Sequence, residues 1–300
     1  MHIFVAGGTG VIGRRLIPQL VARGHRVTAS TSNPDKLAAL RELGAEPVQM
    51  NGLDATSVRA AITNPEVIVH EMTAISGKPD MRHMDRWFAK TNRLRTEGTD
   101  HLVATGIPVI AQSYGAWNGI REGGWVKTET DPLDPLSHTS AAANMAAIQH
   151  LEKVVVGAGG AALRYGALYG PGATDDQVGL IRKRMFPLVG ASTGYTSWVH
   201  VDDAASATVL AVEQRAKGIF DICDDEPAPA NEWLPYLAKC AGAKTPIRIP
   251  KWLARLVAGE VAVIIMTEGR GFSNAKAKAQ LGWTLRYPSW RDGFAAIAAK

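Results

Sequence analysis

MHIFVAGGTGVIG, residues 1–13, reads as strand, glycine-rich turn and helix start in immediate succession. Ile3, Phe4, Val5 and Ala6 form a short apolar run with β-forming side chains, the pattern of a strand buried on both faces. Gly7, Gly10 and Gly13 follow at a spacing of three. Val11, Ile12, Leu16, Ile17, Leu20 and Val21 then recur at helical spacing up to Gly24, where a helix would stop. A glycine triplet alone fits any tight βα turn. Flanked by strand and helix it becomes an anion site: Gly7 permits the turn, Gly10 lets a pyrophosphate approach the backbone, and Gly13 lets helix and strand pack closely. The stretch predicts dinucleotide binding.

The same alternation continues downstream. Val27 to Ser30 predicts a second strand and Pro34 to Leu43 a helix; Pro47 to Met50 and Ala55 to Ile62 repeat the pair. Val67 to His70 is the fourth strand, about Met84 to Thr105 a long helical stretch, and Pro108 to Gln112 the fifth strand. Such alternation argues for an α/β fold with a doubly wound parallel sheet, helices on both faces and ligands at the carboxyl ends of the strands.

Composition sets outer bounds. Three hundred residues, 46% hydrophobic and 20% charged, describe an ordinary globular chain of one large or two modest domains. The formal charge of +5 comes without a Lys/Arg cluster or basic–aromatic stripe, so no nucleic-acid partner is implied. Cys223 and Cys240 have no paired-motif spacing, which argues against a disulfide framework or zinc site. The first strand begins at Met1, and the longest apolar run, Val261 to Met266, is too short to span a bilayer. The expectation is a cytoplasmic protein without a membrane partner.

Cofactor type is read at the end of the second strand. An NAD site usually places Asp or Glu there, on the ribose hydroxyls. Ser30, Thr31, Ser32 and Asn33 stand there instead, with Lys36 one turn on and no carboxylate before Asp35. Hydroxyls and an ammonium suit a 2′-phosphate, so NADP(H) is favoured over NAD(H).

Further motifs are NGLD at 51–54, TNRLRTEGT at 91–99, LRYGALYGPG at 163–172, WVHVDDAA at 198–205 and LGW at 281–283. With GGTGVIG at 7–13, they make the chain resemble the short-chain dehydrogenase/reductase superfamily, in its extended or atypical branch, the NAD-dependent epimerase/dehydratase family. The resemblance covers almost the whole length. It implies a Rossmann-type sheet over residues 1–172 and 204–225, and a smaller discontinuous substrate-binding part over 173–203 and 226–300. It also implies cofactor contacts from Gly7, Thr9, Gly10, Val11, Ile12, Gly13, Ser30, Ser32, Lys36, Asn51, Gly52, Met72, Thr73 and Asn92. Asn51 stands where the family often has an Asp against the adenine.

The family usually works through a Ser after the fifth strand, a Tyr in the next helix and a Lys four residues later that lowers the Tyr pKa. Ser113 is at the expected place. In the helix at 139–153 the Tyr position falls on Asn144 and the Lys position on Ile148. No register repairs the pair: the residues four beyond Tyr114, Tyr165, Tyr169, Tyr195, Tyr236 and Tyr287 are Asn118, Tyr169, Ala173, Val199, Cys240 and Arg291.

Sugar epimerases and dehydratases must oxidise a weakly acidic alcohol, which needs a positioned base. Hydride delivery to an activated C=C, C=N or quinone-like C=O asks only for position and a hydrogen bond or water. The expected activity is therefore NADPH-dependent reduction of a small apolar or aromatic substrate. A nucleotide-sugar epimerase/dehydratase and a non-redox dinucleotide-binding protein are the alternatives. Ser113 is the expected substrate-oxygen donor; for Tyr114 and Tyr165 core packing competes with a proton-donor role. Asn144 can hydrogen-bond a substrate or a water but cannot act as acid or base. His138 is set against an ordinary solvent-facing role, and His70, beside Glu71, is expected to close a strand hydrogen bond.

His200, Asp202 and Asp203 superficially resemble a metal trio, but the two carboxylates are expected to cap the helix from Ala204, so no metal is expected. Most of Trp233, Leu234, Trp252, Leu253, Leu256, Val257 and 261–266 reads as core, some of it walling a substrate pocket. Arg182, Lys183, Arg184 and Arg248 are candidate anion contacts against a default solvated face. A homodimer through the helices near 84–105 and 139–156 is one expectation for partners; the apolar 261–266 segment is a competing interface.

Overall fold

The computed structural model of the chain describes residues 1–75 and 80–298. Its main sheet has seven parallel strands: β1 (His2–Ala6), β2 (Arg26–Thr31), β3 (Glu46–Gln49), β4 (Val67–His70), β5 (Val109–Tyr114), β6 (Ala161–Tyr165) and β7 (Gly218–Ile222). Their order is β3-β2-β1-β4-β5-β6-β7, so the winding reverses between β1 and β4. Phe4 pairs with Thr28 on one side and Ile68 on the other. The apolar run of β1 is explained by what lies on each face. Ile3 and Val5 pack with Leu16, Ile17 and Ala204 beneath helices Gly13–Ala22 and Val201–Glu213. Phe4 and Ala6 pack with Val58, Leu102 and Leu151 beneath helices on the opposite face. Alternate side chains thus meet two different helix layers, and both must be apolar.

The stretch expected as one helix over 84–105 is broken. Met84–Trp87 and Ala89–Arg93 lead into a wide π turn at Leu94–Gly98, and Thr99–Val103 completes the crossover. Thr96, Gly98 and Thr99, poor helix formers, sit at the disruption. Helix Ala142–Gly157 packs against this segment and β5.

A second core gathers Tyr169, Trp198, Trp233, Trp290 and Phe294. Trp198 meets Trp233 edge-on with ring centres 4.9 Å apart, and meets Phe294 at 5.1 Å. Two expectations are corrected here. Val261, Val263, Ile264 and Met266 are buried, so segment 261–266 is internal packing and offers no interface. Trp252, Leu256 and Val257 face outward from helix Lys251–Ala258, whose buried contact is Ala254.

The helix expected to start at Ala204 begins at Val201. Its cap is His200, whose Nδ1 accepts from the Asp202 amide, rather than either carboxylate. Asp203 instead accepts from the amides of Arg286 and Tyr287 and so ties down the C-terminal segment. No described helix is long and apolar enough to cross a membrane.

Candidate active site

The first element of the site is the turn between β1 and helix Gly13–Ala22. Gly7 has φ +91°, and a Cβ there would lie 2.7 Å from the Glu71 carbonyl oxygen at the end of β4. A Cβ on Gly13 would lie 2.5 Å from the carbonyl oxygen of Gly8. Both positions are closed to any side chain. Gly10 differs: it is exposed, and its added Cβ would come no nearer than 3.4 Å to Gly7 O, leaving room above the turn. The helix has no side-chain cap and no acid in its first turn. The amides of Val11, Ile12 and Gly13 have no protein acceptor among the described residues. Free donors, a positive dipole end and an open face fit the pyrophosphate of a dinucleotide.

At the end of β2 the predicted residues separate. Ser30 is buried, and its hydroxyl accepts from the Gly7 amide at 3.4 Å. It supports the turn from beneath, which corrects its expected place among the hydroxyls around a 2′-phosphate. Ser32, Asn33 and Lys36 are exposed beyond it. Thr31 Oγ1 lies 3.4 Å from Thr9 Oγ1, and Arg14 Nε donates to Thr9 O at 3.0 Å. A guanidinium therefore stands near this edge, supplied by the helix after the glycine turn rather than by β2.

The remaining cofactor candidates line the neighbouring strand ends. Asn51 is exposed, its Oδ1 accepting from the Leu53 amide at 3.1 Å. Gly52 is buried against Met72, where a Cβ would lie 2.4 Å from the sulfur, so Gly52 and Met72 act here as a packed pair. Thr73 is exposed just past β4. Asn92 Oδ1 is buried without a partner among the described residues, in the crossover segment. His70 is fully enclosed: Nε2 lies 3.3 Å from Leu94 O and 3.2 Å from Thr99 Oγ1, while Nδ1 accepts from the Met72 amide. Burial lowers its pKa to about 4, so the ring is neutral.

Two catalytic expectations are corrected. Ser113 is buried and donates to Glu152 Oε1 at 2.7 Å; that carboxylate also takes two 2.8 Å hydrogen bonds from Arg164. The hydroxyl is committed to a buried ion pair, not held ready for a substrate. Tyr165 lies inside the first core, its hydroxyl 2.9 Å from Glu71 Oε1 and 2.5 Å from Thr208 Oγ1. Burial, with the Glu71 charge, drives its pKa well above the ordinary tyrosine range.

Tyr114 and Asn144 are brought together, and Arg95 joins them. Arg95 Nη1 donates to Asn144 Oδ1 at 2.6 Å, and the guanidinium carbon stands 5.9 Å from the centre of the Phe88 ring. Because guanidinium only donates, Asn144 must present its oxygen to Arg95, which leaves its NH2 as a donor. Tyr114 is close enough for its charge and that of Arg95 to influence each other, and burial raises its pKa to about 12. Burial dominates and no described lysine opposes it, so the phenol stays protonated at neutral pH. Trp117 packs edge-on to Tyr114 at 6.3 Å, and Met84, Met145 and Ile264 continue an apolar wall.

The spacing of the crossover contained a signal for Arg95: Thr91, Leu94, Gly98 and Leu102 mark an inward stripe, and Arg95 falls within it. The basic cluster, by contrast, binds backbone. Arg182 donates to Ala241 O, Arg184 to Thr245 O and Arg248 to Gly190 O. His138 is exposed.

The sequence model of the NAD dependent epimerase/dehydratase family matches residues 3–223. The chain belongs to that family. Within it the chain is an extended or atypical member of the short-chain dehydrogenase/reductase superfamily and an NAD(P)-dependent oxidoreductase. It is 40% identical over 311 aligned residues, 98% of its own length and 99% of the relative's, to the 3-diazoavenalumate denitrifying reductase of a Streptomyces species. A Stigmatella aurantiaca ketoreductase acting on 4-hydroxy-2-methyl-3-oxo-4-farnesyl-3,4-dihydroquinoline-1-oxide is 25% identical, with 86% of this chain and 79% of that one covered. Human epimerase family protein SDR39U1, solved with NADPH, superposes with a TM-score of 0.75 over the whole of both chains at 19% identity, a likeness of fold.

Proposed function

We propose that this protein is an NADPH-dependent reductase that delivers hydride to a small, electron-poor aromatic substrate, and that an arenediazonium carboxylate is its substrate class. The observation that carries the reading is the Asn144–Arg95 pair: the position where the family puts its proton-transferring Tyr holds an amide locked by a guanidinium. Neither group gives up or takes a proton at neutral pH. A site so built favours a reaction without proton transfer at the reacting atom. Loss of dinitrogen is such a reaction, and the full-length relative of 40% identity is a denitrifying reductase.

When bound, NADPH would supply the hydride; in the overall change a C–H bond would form with the hydride pair, the C–N bond would break with its pair leaving on N2, and charge would balance without a proton. The protein's part is to hold and orient. Val11, Ile12 and Gly13 offer amides to the pyrophosphate, and Ser32, Asn33, Lys36 and Arg14 surround the place for a 2′-phosphate. Tyr114, Trp117 and Phe88 offer ring surfaces to a planar substrate. The Asn144 NH2 is a hydrogen-bond donor toward it.

The test is a spectrophotometric assay of NADPH oxidation with a diazotised aminohydroxycinnamate, followed by product analysis using NADPH deuterated at either face of C4. Diazo-dependent oxidation, with deuterium at the carbon that carried nitrogen, is expected. Oxidation indifferent to the diazo compound, or product free of deuterium, rejects the reading.

A further inference from the structure

Two arginines are buried among the described residues, and they are treated very differently by their surroundings. Arg164 is neutralised by Glu152. Arg95, 5% exposed, has no carboxylate within ion-pair distance among the described residues, and among them its one hydrogen bond is to the neutral amide of Asn144. A guanidinium withdrawn from water without a counter-ion is unfavourable, and proteins seldom keep one unless something supplies the missing charge. Burial lowers its pKa to about 10, which leaves it a cation at neutral pH.

Its unused nitrogens are also informative. Nε and Nη2 have no protein hydrogen-bond partner among the described residues. Two donors of this buried cation are thus left unused by the protein's described residues. One nitrogen is fixed by Asn144, and a ring stands over the group at Phe88. A planar fork held on one edge and free on another is suited to the two oxygens of a carboxylate.

We propose that Arg95 binds the carboxylate of the substrate through Nε and Nη2, so that the site selects aromatic acids over their neutral counterparts. The identity of the reduced group rests on the reductase reading above, but recognition of the carboxylate does not need turnover. It is therefore tested with compounds that cannot react: 4-hydroxycinnamate and its methyl ester, titrated calorimetrically into the protein saturated with NADP+. The wild-type protein is expected to bind the acid at least 20-fold more tightly than the ester. Arg95→Met should remove that preference by weakening the acid alone, and Arg95→Lys should restore part of it.

Equal binding of acid and ester by the wild-type protein overturns the proposal, and this arm needs no variant to fold. Equal weakening of both ligands by Arg95→Met, with circular dichroism unchanged, also overturns it and leaves Arg95 a positioning residue for Asn144. Loss of NADPH affinity with the acid-to-ester ratio intact would assign the guanidinium to the cofactor, again against the proposal. Acid selectivity in a protein that oxidises NADPH with no diazo compound would reject the reductase reading while sustaining this one.

Discussion

Ser113 Oγ donates to Glu152 Oε1 at 2.7 Å, across 39 residues of sequence, and thereby joins a carboxylate already held by Arg164 through two bonds. The strand-end serine is a structural member of a buried charge cluster. Ser113→Ala removes one of three hydrogen bonds to that carboxylate, and a loss of about 1 kcal/mol is expected with turnover reduced less than threefold. Glu152→Gln takes the doubly hydrogen-bonded carboxylate from the Arg164 cation, leaving it Asp221 at 4.0 Å, and should cost about 3 kcal/mol. Urea unfolding of the two variants, beside NADPH oxidation rates, checks both. A hundredfold fall in rate for Ser113→Ala at full stability would return the serine to the chemistry.

Glu71 and His70 sit side by side at the end of β4 and pull stability in opposite directions with pH. Burial raises the Glu71 pKa from 4.5 to about 8 and outweighs the Tyr165 hydrogen bond that lowers it. The unfolded chain ionises first, so this contribution is complete below pH 4.5 and is lost as pH rises toward 8, on the order of 4 kcal/mol over the window. Burial lowers His70 from 6.5 to about 4, so its contribution is complete above pH 6.5 and is lost as pH falls toward 4. Glu71→Gln, neutral at every pH, is expected to be more stable than the parent at pH 8 and level with it at pH 4.5. Urea midpoints at the two values read this directly; parallel profiles for parent and variant would refute it.

How far these features were legible in the sequence depends on the distance over which each is determined. The apolar run Ile3–Ala6 and the glycines at 7, 10 and 13 are local, and they fixed strand, turn and helix because no distant residue is needed to read them. The absent tyrosine–lysine pair was equally plain by counting. The partner of Ser113 was not: Glu152 lies on another element, and nothing near Ser113 announces a carboxylate. Ser30 was misread for a related reason, since the alternation of β2 decides whether its hydroxyl meets the turn or the solvent. Arg95 stands between Arg93 and Glu97, which pair with each other on the outer face, so local charge alone does not show that it turns inward. Trp252 belongs to a stretch whose helical spacing reads mostly as core, whereas helix Lys251–Ala258 turns it outward.

The glycine turn separates folding from cofactor binding. Gly13→Ala places a methyl 2.5 Å from backbone at Gly8, which must shift, so a stability loss on the order of 2 kcal/mol or more is expected with dinucleotide binding lost as well. Gly10→Ala meets nothing closer than 3.4 Å and should keep the parent melting temperature. Its methyl projects over the turn, where a pyrophosphate needs the backbone bare. Thermal denaturation and calorimetric titration with NADPH should show intact folding and at least tenfold weaker binding for Gly10→Ala. Unchanged NADPH affinity in that variant would move the pyrophosphate away from the turn.

Lys36 is exposed on the short turn after β2, and Arg14 is held to Thr9, beside Thr31 at the end of β2, from the helix after the glycine turn. If both attract a 2′-phosphate, their effect falls on NADPH and spares NADH, which has a hydroxyl there. Lys36→Glu exchanges attraction for repulsion at an exposed position, and about a tenfold rise in the NADPH dissociation constant, or ~1.4 kcal/mol, is expected. NADH affinity should hold or improve, and the NADPH preference of the parent should shrink as salt is raised, because these charges are open to solvent. Paired titrations with NADPH and NADH at low and high salt give the answer. Equal weakening of both cofactors would show that Lys36 acts on something they share, and the phosphate reading of this edge would fail.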